Sequence, residues 1–364
     1  MKWTVPFINL QRENAPFKRE MLEVFSRVFD SGQYIDGEQT RRLEEEFAAF
    51  AGTHHAVEVG CGTDALILSL RALRVGHGDE VIVPSLTFPA TALAVLEVGA
   101  RPVFVDIDNS LNLDPESVEA AVSRRTRAVI AVHWAGLMAE MDALRQLCDS
   151  RGLALLEDAA QAHGASYRGA RAGSFGDFGC FSLHATKTLS ALGNGGIVTT
   201  NSKSGDAALR LLRNFGRAGR ESFVRDGRNS RLGEVQAGFI RIKLARLSGL
   251  NSRRIRVAQC YARELSDWVY APVVPEGREH VYHIYSVRTH HRERLWTGLR
   301  EAGIEAVVHY RRPSHLQPAL REFAPSSLPM TEKICAELLS LPLAHDEQQQ
   351  QFVIDTIKQV LRRR

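Results

Sequence analysis

The stretch from residue 154 to residue 164 reads Ala154-Leu-Leu-Glu-Asp158-Ala-Ala-Gln-Ala-His-Gly164. Its first four residues, Ala154–Glu157, predict a short buried strand, and Asp158 follows directly at the carboxyl end of that strand. In open α/β sheets, ligands bind at the carboxyl ends of the strands. We therefore interpret Asp158 as a candidate ligand-binding carboxylate, although a helix N-cap is an equally good interpretation of this residue taken alone.

Short runs of β-branched and other apolar residues recur over about the first 200 residues, and several are separated by amphipathic helical patterns. Strands that are connected through helices predict a mainly parallel α/β sheet, here of seven strands, with helices on both faces. The predicted strands are Ala56–Val59, Glu80–Pro84, Pro102–Asp106, Ala128–His133, Ala154–Glu157, Gly179–Ser182 and Gly196–Thr200. The predicted helices between them are Thr63–Arg74, Thr91–Leu96, Pro115–Val122 and Met141–Arg151.

The pattern changes after about residue 232. A long helical stretch from Leu232 to Leu265, interrupted near Gly249, leads into a second set of elements. These are predicted strands at Tyr282–Arg288 and Ala306–Tyr310 and predicted helices at Arg292–Ala302 and Gln348–Leu361. We expect a large ligand-binding domain of residues 1–245 and a small C-terminal α/β domain of residues 246–364. The N-terminal segment of the large domain is expected to contact the small domain.

Composition argues against several classes of protein. The 364 residues are 44% hydrophobic and 24% charged, and the net charge of +4 is scattered rather than concentrated on one stretch, which argues against a nucleic-acid-binding surface. The five cysteines are isolated, so neither a metal site nor a disulfide framework is expected. No apolar run reaches the roughly 18 residues that cross a bilayer, and the N-terminus does not resemble a signal peptide. We expect a cytoplasmic protein with no membrane partner.

Lys187 is the second candidate residue. Of the seven lysines, it alone lies in the middle of a Gly- and Ser-rich connection, from Phe181 to Gly196, between two predicted strands. A lysine shielded from water there would have a lowered pKa and could form a Schiff base, although a surface loop lysine is the plainer interpretation. Asp158 could then pair with a pyridinium nitrogen, an interaction of about 4 kcal/mol at roughly 4 Å.

A phosphate site and an aromatic residue complete the set of candidates. Gly62 and Thr63 follow the first strand and open a helix, whose N-terminal N–H groups suit a phosphate dianion. Ser182 could add a hydroxyl from its own strand end. The turn is neither GxGxxG nor a Walker sequence, so no dinucleotide or ATP loop is indicated. Phe88, after the second strand, could stack on a cofactor ring or simply belong to the core.

Taken together, these motifs resemble the DegT/DnrJ-type sugar aminotransferases of pyridoxal-phosphate (PLP) fold type I. The resemblance covers nearly the whole chain, from Pro6-Phe-Ile-Asn-Leu to Leu339-Ser-Leu-Pro342, with the motifs in the family's order. The chain departs from the family pattern at Asn194, where an acidic residue is usual, and at Thr188, where asparagine is common.

The resemblance implies PLP as the cofactor and a role for each candidate. Lys187 would bind PLP as a Schiff base and shuttle the proton, and Asp158 would pair with the ring nitrogen. The other implied cofactor contacts are Gln161 beside the ring hydroxyl, Phe88 stacked on the ring, Gly62, Thr63 and Ser182 at the phosphate, and Asn229 reaching the phosphate from a neighbouring subunit. The family pattern thus implies a homodimer. His309, Tyr310 and His315 match a segment near the nucleotide-sugar pocket.

The implied reaction moves an amino group from L-glutamate to the C3 or C4 keto group of a nucleotide-linked deoxy-sugar, with dTDP as the expected nucleotide. Arg231 could bind the donor carboxylate or the sugar pyrophosphate, or form an interface salt bridge. Three alternatives stay open: an aminocyclitol (keto-inositol type) aminotransferase, a PLP sugar dehydratase and a non-catalytic regulatory relative. The presence of Lys187 and Asp158 argues against the last two.

Overall fold

A seven-stranded sheet forms the centre of the computed structural model, which describes residues 3–344 and 346–362. Its strands are β1 (His55–Val59), β2 (Glu80–Pro84), β3 (Arg101–Val105), β4 (Thr126–Val132), β5 (Ala154–Asp158), β6 (Phe178–Ser182) and β7 (Gly196–Thr200). Their order is β1-β7-β6-β5-β4-β2-β3, and only β7 runs antiparallel to its neighbours. The predicted seven-stranded, mainly parallel sheet is confirmed, with each strand end within two residues of its predicted position.

The central strands are apolar on both faces because helices cover both sides of the sheet. Val129 and Leu155 face one core together with Ile82, and Ile130 and Leu156 face the other. All five side chains are fully buried. This two-sided burial explains why the strands are continuous apolar runs instead of alternating ones.

The helices, in chain order, share the two faces of the sheet and the C-terminal layer. They are α1 (Leu10–Asn14), α2 (Lys18–Ser31), α3 (Glu38–Ala51), α4 (Gly62–Ala72), α5 (Ala90–Glu97), α6 (Pro115–Ala121), α7 (Met141–Arg151), α8 (Lys203–Leu212), α9 (Glu234–Leu244), α10 (Leu247–Glu264), α11 (Arg292–Glu301), α12 (Pro329–Glu337) and α13 (Glu347–Arg362). None of the helices within the described ranges is both long and apolar enough to span a bilayer.

The long helical stretch is interrupted as predicted, although the break lies three residues before Gly249. The break lies between α9 and α10, where the backbone of Arg246 leaves the helical region. Gly249 stays inside α10 with open space around it, and a lone glycine inside a helix costs only about 1 kcal/mol relative to alanine.

A smaller antiparallel pair, β8 (Tyr285–Arg288) and β9 (Leu338–Leu341), forms the C-terminal layer. Helix α10 connects this layer to the large sheet, since Leu247 packs in the core of the sheet and Tyr261 in the core of the C-terminal layer. Val5, from the N-terminal segment, also packs in the core of the C-terminal layer and forms a β-bridge with Ile304. The division at residue 245 falls at the break between α9 and α10, and as a domain boundary it stays a prediction.

The predicted strand Ala306–Tyr310 is not formed. Val307 makes a single bridge to Ser340, and the chain then turns away from β9. The turn brings His309 and Tyr310 to the carboxyl end of the large sheet instead of extending the small one. The two residues therefore line a cavity, a tertiary position that overrides their local strand propensity.

Candidate active site

A cavity of about 470 Å³ lies at the carboxyl ends of β2, β4, β5 and β6. Its volume falls within the range of about 300–1,000 Å³ that is usual for small-molecule sites. It brings together nine residues singled out in the sequence: Gly62, Thr63, Phe88, Asp158, Gln161, Ser182, Lys187, His309 and Tyr310.

Asp158 ends β5 with its side chain almost entirely buried, at 7% exposure. The Thr91 hydroxyl donates to Oδ2 at 2.8 Å, and the backbone N–H of Ala160 donates to Oδ1 at 3.3 Å. Burial raises the pKa of Asp158, while these hydrogen bonds and the nearby Lys187 lower it. No helix follows Asp158, so it is not an N-cap, and its carboxylate faces the cavity.

Lys187 lies in the connection between β6 and β7, where its backbone N–H donates to the His184 carbonyl at 2.8 Å. It is the one lysine that lines this cavity among the described residues. Burial lowers the pKa of Lys187, and Asp158 partly opposes the shift. A lowered pKa gives a larger fraction of neutral amine, the form that acts as a nucleophile or base.

Gly62 opens α4 directly against the end of β6. A Cβ atom at this position would lie 2.6 Å from the Ser182 Cβ and 2.9 Å from its Cα. Only glycine therefore lets the first turn of α4 approach Ser182 so closely. The first turn of a helix carries N–H groups without helical partners, so Gly62, Thr63 and Ser182 together form a suitable cradle for an anion.

Aromatic rings form one wall of the cavity. Phe88 is 59% exposed, which excludes a core role, and its ring lies 6.2 Å from that of Tyr310. The ring of Tyr310 also meets Trp134 edge-on at 5.6 Å. Gln161 accepts a 2.7 Å hydrogen bond from the Ala135 N–H. A flat group bound here would lie between apolar faces.

The other three predicted residues do not line this cavity. His315 is only 1% exposed; its Nδ1 lies 2.5 Å from the Ser85 hydroxyl, and its Nε2 lies 3.5 Å from Glu332. Arg231 pairs with Asp36 at 3.0 Å, and the exposed Asn229 accepts hydrogen bonds from Arg231. Their functional roles stay predictions.

Two residues of the site had no assigned role in the sequence analysis. Thr91 lies at the start of a predicted helix. Its spacing of four residues from Thr87 was the only feature of the sequence that could indicate a contact between the two hydroxyls. His283 lines the cavity from the C-terminal layer, and its Nδ1 has no hydrogen-bond partner among the described residues. Burial holds the pKa of His283 well below its usual value. No local pattern places this residue beside Lys187.

A nucleophilic lysine, a buried carboxylate and a glycine-lined anion cradle at the carboxyl ends of one α/β sheet define the class of PLP enzymes of fold type I. The sequence profile of the DegT/DnrJ/EryC1/StrS aminotransferase family matches residues 17–358, and the chain belongs to this family. It is a PLP-dependent aminotransferase.

Named relatives extend this result. The chain is 43% identical to the dTDP-3-amino-3,4,6-trideoxy-alpha-D-glucose transaminase of Streptomyces venezuelae, over 98% of this chain and 96% of that protein. It is 40% identical to the UDP-N-acetyl-3-dehydro-alpha-D-glucosamine 3-aminotransferase of Acidithiobacillus ferrooxidans, over 99% and 97% of the two chains. The crystal structure of S. venezuelae DesV in complex with a ketimine intermediate superposes with a TM-score of 0.97, at 42% identity and full coverage of both chains.

The residues present fit PLP on structural grounds. The cradle at Gly62 has no room for a side chain, Lys187 lines the same cavity, and the Asp158 carboxylate is buried beside it. An anion cradle, an amine and a buried carboxylate are the three kinds of group that a phosphorylated pyridine aldehyde requires. Which residue contacts which group is part of the proposal below.

Proposed function

We propose that the enzyme transfers the amino group of L-glutamate to the C3 keto group of a dTDP-linked keto-deoxy-sugar. The observation that supports this proposal is the joint position of Lys187 and Asp158 in one cavity large enough for a cofactor and a sugar. The C3 position is supported by the names of the two relatives described above, because both names place the amino group at carbon 3 of the sugar. The closer of them uses dTDP as the nucleotide.

When bound, PLP supplies an electron sink for the electron pair of a substrate C–H bond. Asp158 holds the ring nitrogen protonated through its carboxylate, whose position Thr91 fixes. Burial lowers the pKa of Lys187 and so increases the fraction of neutral amine. Its Nζ atom would take the proton from the amine-bearing carbon of the donor in the first half-reaction and deliver a proton to the acceptor carbon that receives the amino group in the second. Gly62, Thr63 and Ser182 bind the phosphate.

The sugar would occupy the outer part of the cavity, where Phe88, His283, His309 and Tyr310 form the wall. Burial lowers the pKa of His309 to about 4, so its ring is neutral near pH 7, and its Nδ1 lies 3.0 Å from the Ser340 hydroxyl. Neutral imidazoles both donate and accept hydrogen bonds. They suit the hydroxyl groups of an uncharged sugar better than a second anion.

We also propose a homodimer that completes this site. Helix α2 exposes a stripe of apolar side chains, Leu22, Phe25 and Phe29, which a monomer would leave in water. Asn229 is exposed and does not line its own cavity, so it is available to the site of a second copy. A cytoplasmic location is part of the same proposal and is supported by the free state of all five cysteines.

The test follows the visible absorbance of the purified PLP-loaded enzyme. Excess L-glutamate should bleach the absorbance of the lysine-bound cofactor, and a dTDP-3-keto-6-deoxy-hexose should restore it. A dTDP-4-keto sugar and a keto-cyclitol serve as competing acceptors, and Lys187→Ala is the inactive control. Faster recovery with the 4-keto sugar would contradict the C3 assignment. Lack of inhibition by dTDP would favour the cyclitol alternative.

A further inference from the structure

A second cavity of about 140 Å³ adjoins the cofactor cavity on the side of Lys187. The two cavities share five wall residues, including Thr186 and His283. The second cavity, hereafter the side cavity, is also lined by Thr188, Ser190 and Lys243. Residues 186, 188 and 190 belong to the connection that carries Lys187, so the side cavity lies beside the segment that holds the reactive lysine.

Lys243 is the distinctive residue of the side cavity. It lies in the last turn of α9 and is only 4% exposed. Its Nζ donates a 2.8 Å hydrogen bond to the Ser190 hydroxyl and has no carboxylate within salt-bridge distance in the described ranges. Buried ammonium groups are normally paired, because an isolated buried charge is costly. An anion from outside the folded chain would therefore complete the ion pair of Lys243.

Two further polar groups of the side cavity lack partners. The Thr188 hydroxyl, 7% exposed, and Nδ1 of His283 make no hydrogen bond within the described part of the chain. Buried polar atoms are satisfied in nine cases of about ten. Two unpartnered atoms and an unpaired ammonium around one small space indicate a polar ligand with several acceptor atoms.

The charge balance of the wall specifies the sign of that ligand. The side cavity is lined by four cationic side chains, Lys243, Arg12, Arg253 and Arg254, and by one carboxylate, Glu13. Glu13 lies 3.7 Å from Arg254 and also attracts Lys243. Arg12 pairs with Asp346. Glu13 and Asp346 pair with two of the arginines. The buried ammonium of Lys243 has no carboxylate within salt-bridge distance among the described residues, so it favours an anionic ligand.

We infer that the side cavity binds the side-chain carboxylate of a dicarboxylic amino donor, with Lys243 as its ionic partner and Thr188 as a hydrogen-bond donor. This inference rests on the proposed function, in which the donor amine reacts at the cofactor held by Lys187. The small volume suits a carboxylate and a short methylene chain. A phosphate is already accommodated at Gly62 and Ser182, at the other cavity.

The amino donor is then selected in the side cavity, whereas the sugar binds in the cofactor cavity. An amino acid whose side chain ends in a carboxylate places it at Lys243, while its amine lies at Lys187. The amide of glutamine would leave the ammonium unpaired, and an aliphatic side chain would leave all three polar groups unsatisfied. A charge-assisted hydrogen bond is worth about 1.5–3 kcal/mol, so the preference for glutamate over glutamine should be about tenfold to hundredfold.

The first experiment measures binding without turnover. Glutarate and its monocarboxylate isostere pentanoate are titrated into the PLP-loaded enzyme by calorimetry. Wild type should bind glutarate at least about tenfold more tightly than pentanoate, and Lys243→Met should lose that difference. Lys203→Met, which makes the same change at an exposed lysine, is the matched control. Equal glutarate affinity in wild type and Lys243→Met would overturn the inference.

The second experiment separates this inference from the proposed function. The ratio of kcat/KM for L-glutamate to that for L-glutamine is measured in the donor half-reaction, with Thr188→Val as a second variant in case Lys243→Met does not fold. Both variants should lower the ratio, while equal use of both donors by wild type would overturn the inference. If no amino acid reacts, the proposed function fails, and the glutarate titration still decides whether the side cavity binds a dicarboxylate.

Discussion

The hydroxyl of Thr91 donates a 2.8 Å hydrogen bond to Oδ2 of Asp158. Because the single proton of Thr91 is used in this bond, the Thr87 hydroxyl, also at 2.8 Å, must donate to Thr91 in turn. Both threonines are buried at the beginning of α5. The chain of hydroxyls fixes the orientation of the carboxylate and opposes the rise in its pKa that burial causes.

We expect Thr91→Val to weaken PLP binding and to shift the acid limb of the pH–activity profile to higher pH. Burial raises the pKa of Asp158 and the Thr91 hydrogen bond lowers it, so removal of the hydroxyl raises the pKa further. The carboxylate then protonates at a higher pH, and activity is lost earlier as the pH falls. The dissociation constant of PLP should increase about tenfold, which corresponds to about 1.4 kcal/mol.

A titration of the apo-enzyme with PLP, read by visible absorbance, measures this constant. Thr91→Ser keeps the hydroxyl and should restore both the affinity and the pH profile. An unchanged affinity and an unchanged acid limb in Thr91→Val would show that the hydrogen bond has no functional effect.

Lys187→Ala should abolish the visible absorbance of the lysine-bound cofactor and lower turnover by at least about 10²–10⁴-fold, because both the covalent attachment and the proton carrier are lost. Absorbance spectra and the donor half-reaction check both effects. Lys333→Ala, on the exposed face of α12, is the control and should behave like wild type. If the purified Lys187→Ala variant keeps the absorbance and the activity, the central assignment is wrong.

The sequence was sufficient for the parts of the site that stand in local patterns. Asp158, Gly62 and Ser182 each lie next to a strand whose apolar run is easy to recognise, and parallel strands bring their carboxyl ends to one edge. Local patterns do not specify how the C-terminal layer folds back. No local pattern indicates that His283 joins the cavity. The position of His309 at the cavity is implied only by the family resemblance, because local propensity predicts a strand through this residue.

His315 is a residue that the family pattern placed near the site and that the structure places outside the cavity wall. A family motif implied that it lies near the substrate, but its imidazole is buried between Ser85 and Glu332 and lies outside the cavity wall among the described residues. Thr91 and Lys243 were missed because their importance comes from partners distant in sequence, Asp158 and Ser190. Long-range contacts of this kind carry no local signature.

Gly62→Ala should reduce PLP affinity without unfolding the protein. The added Cβ would meet Ser182 at 2.6 Å, so α4 or β6 must move and the anion cradle must open. Gly249→Ala is the control, since its Cβ would meet no atom within 4 Å and its helix should gain about 1 kcal/mol of stability. PLP titration and thermal unfolding of both variants check the prediction. Equal PLP affinity in Gly62→Ala and wild type would contradict the proposed phosphate site.

Phe29→Asp should convert the proposed dimer to a monomer. Phe29 is 62% exposed in the isolated chain, so the change leaves the folded monomer intact but places a charge in the apolar stripe of α2. Sedimentation velocity measures the mass, and PLP affinity should fall with it if Asn229 acts across the interface. Phe352→Asp, on α13, is a control for an exposed aromatic elsewhere. A fully active wild-type monomer would refute the shared site.

The preference for glutamate over glutamine should decline as the pH rises through about 8. Burial lowers the pKa of Lys243 to about 8 and Glu13 partly opposes the shift, so the ammonium that pairs with a carboxylate is lost above this pH. The other charged or titratable groups that face Lys243 across the side cavity are Glu13, Arg12, Arg253, Arg254 and His283. His283 adds no positive charge here, because burial holds its pKa far below the usual value.

Titration of Lys187 affects both donors alike, so the ratio of their kcat/KM values isolates Lys243. We expect the ratio to fall between about pH 7 and pH 9 in wild type and to be low and flat in Lys243→Met. Bound glutamate should raise the pKa of Lys243, which would place the decline at a higher pH under saturating donor than under limiting donor. A wild-type ratio that does not change with pH would mean that the donor carboxylate pairs with an arginine rather than with Lys243.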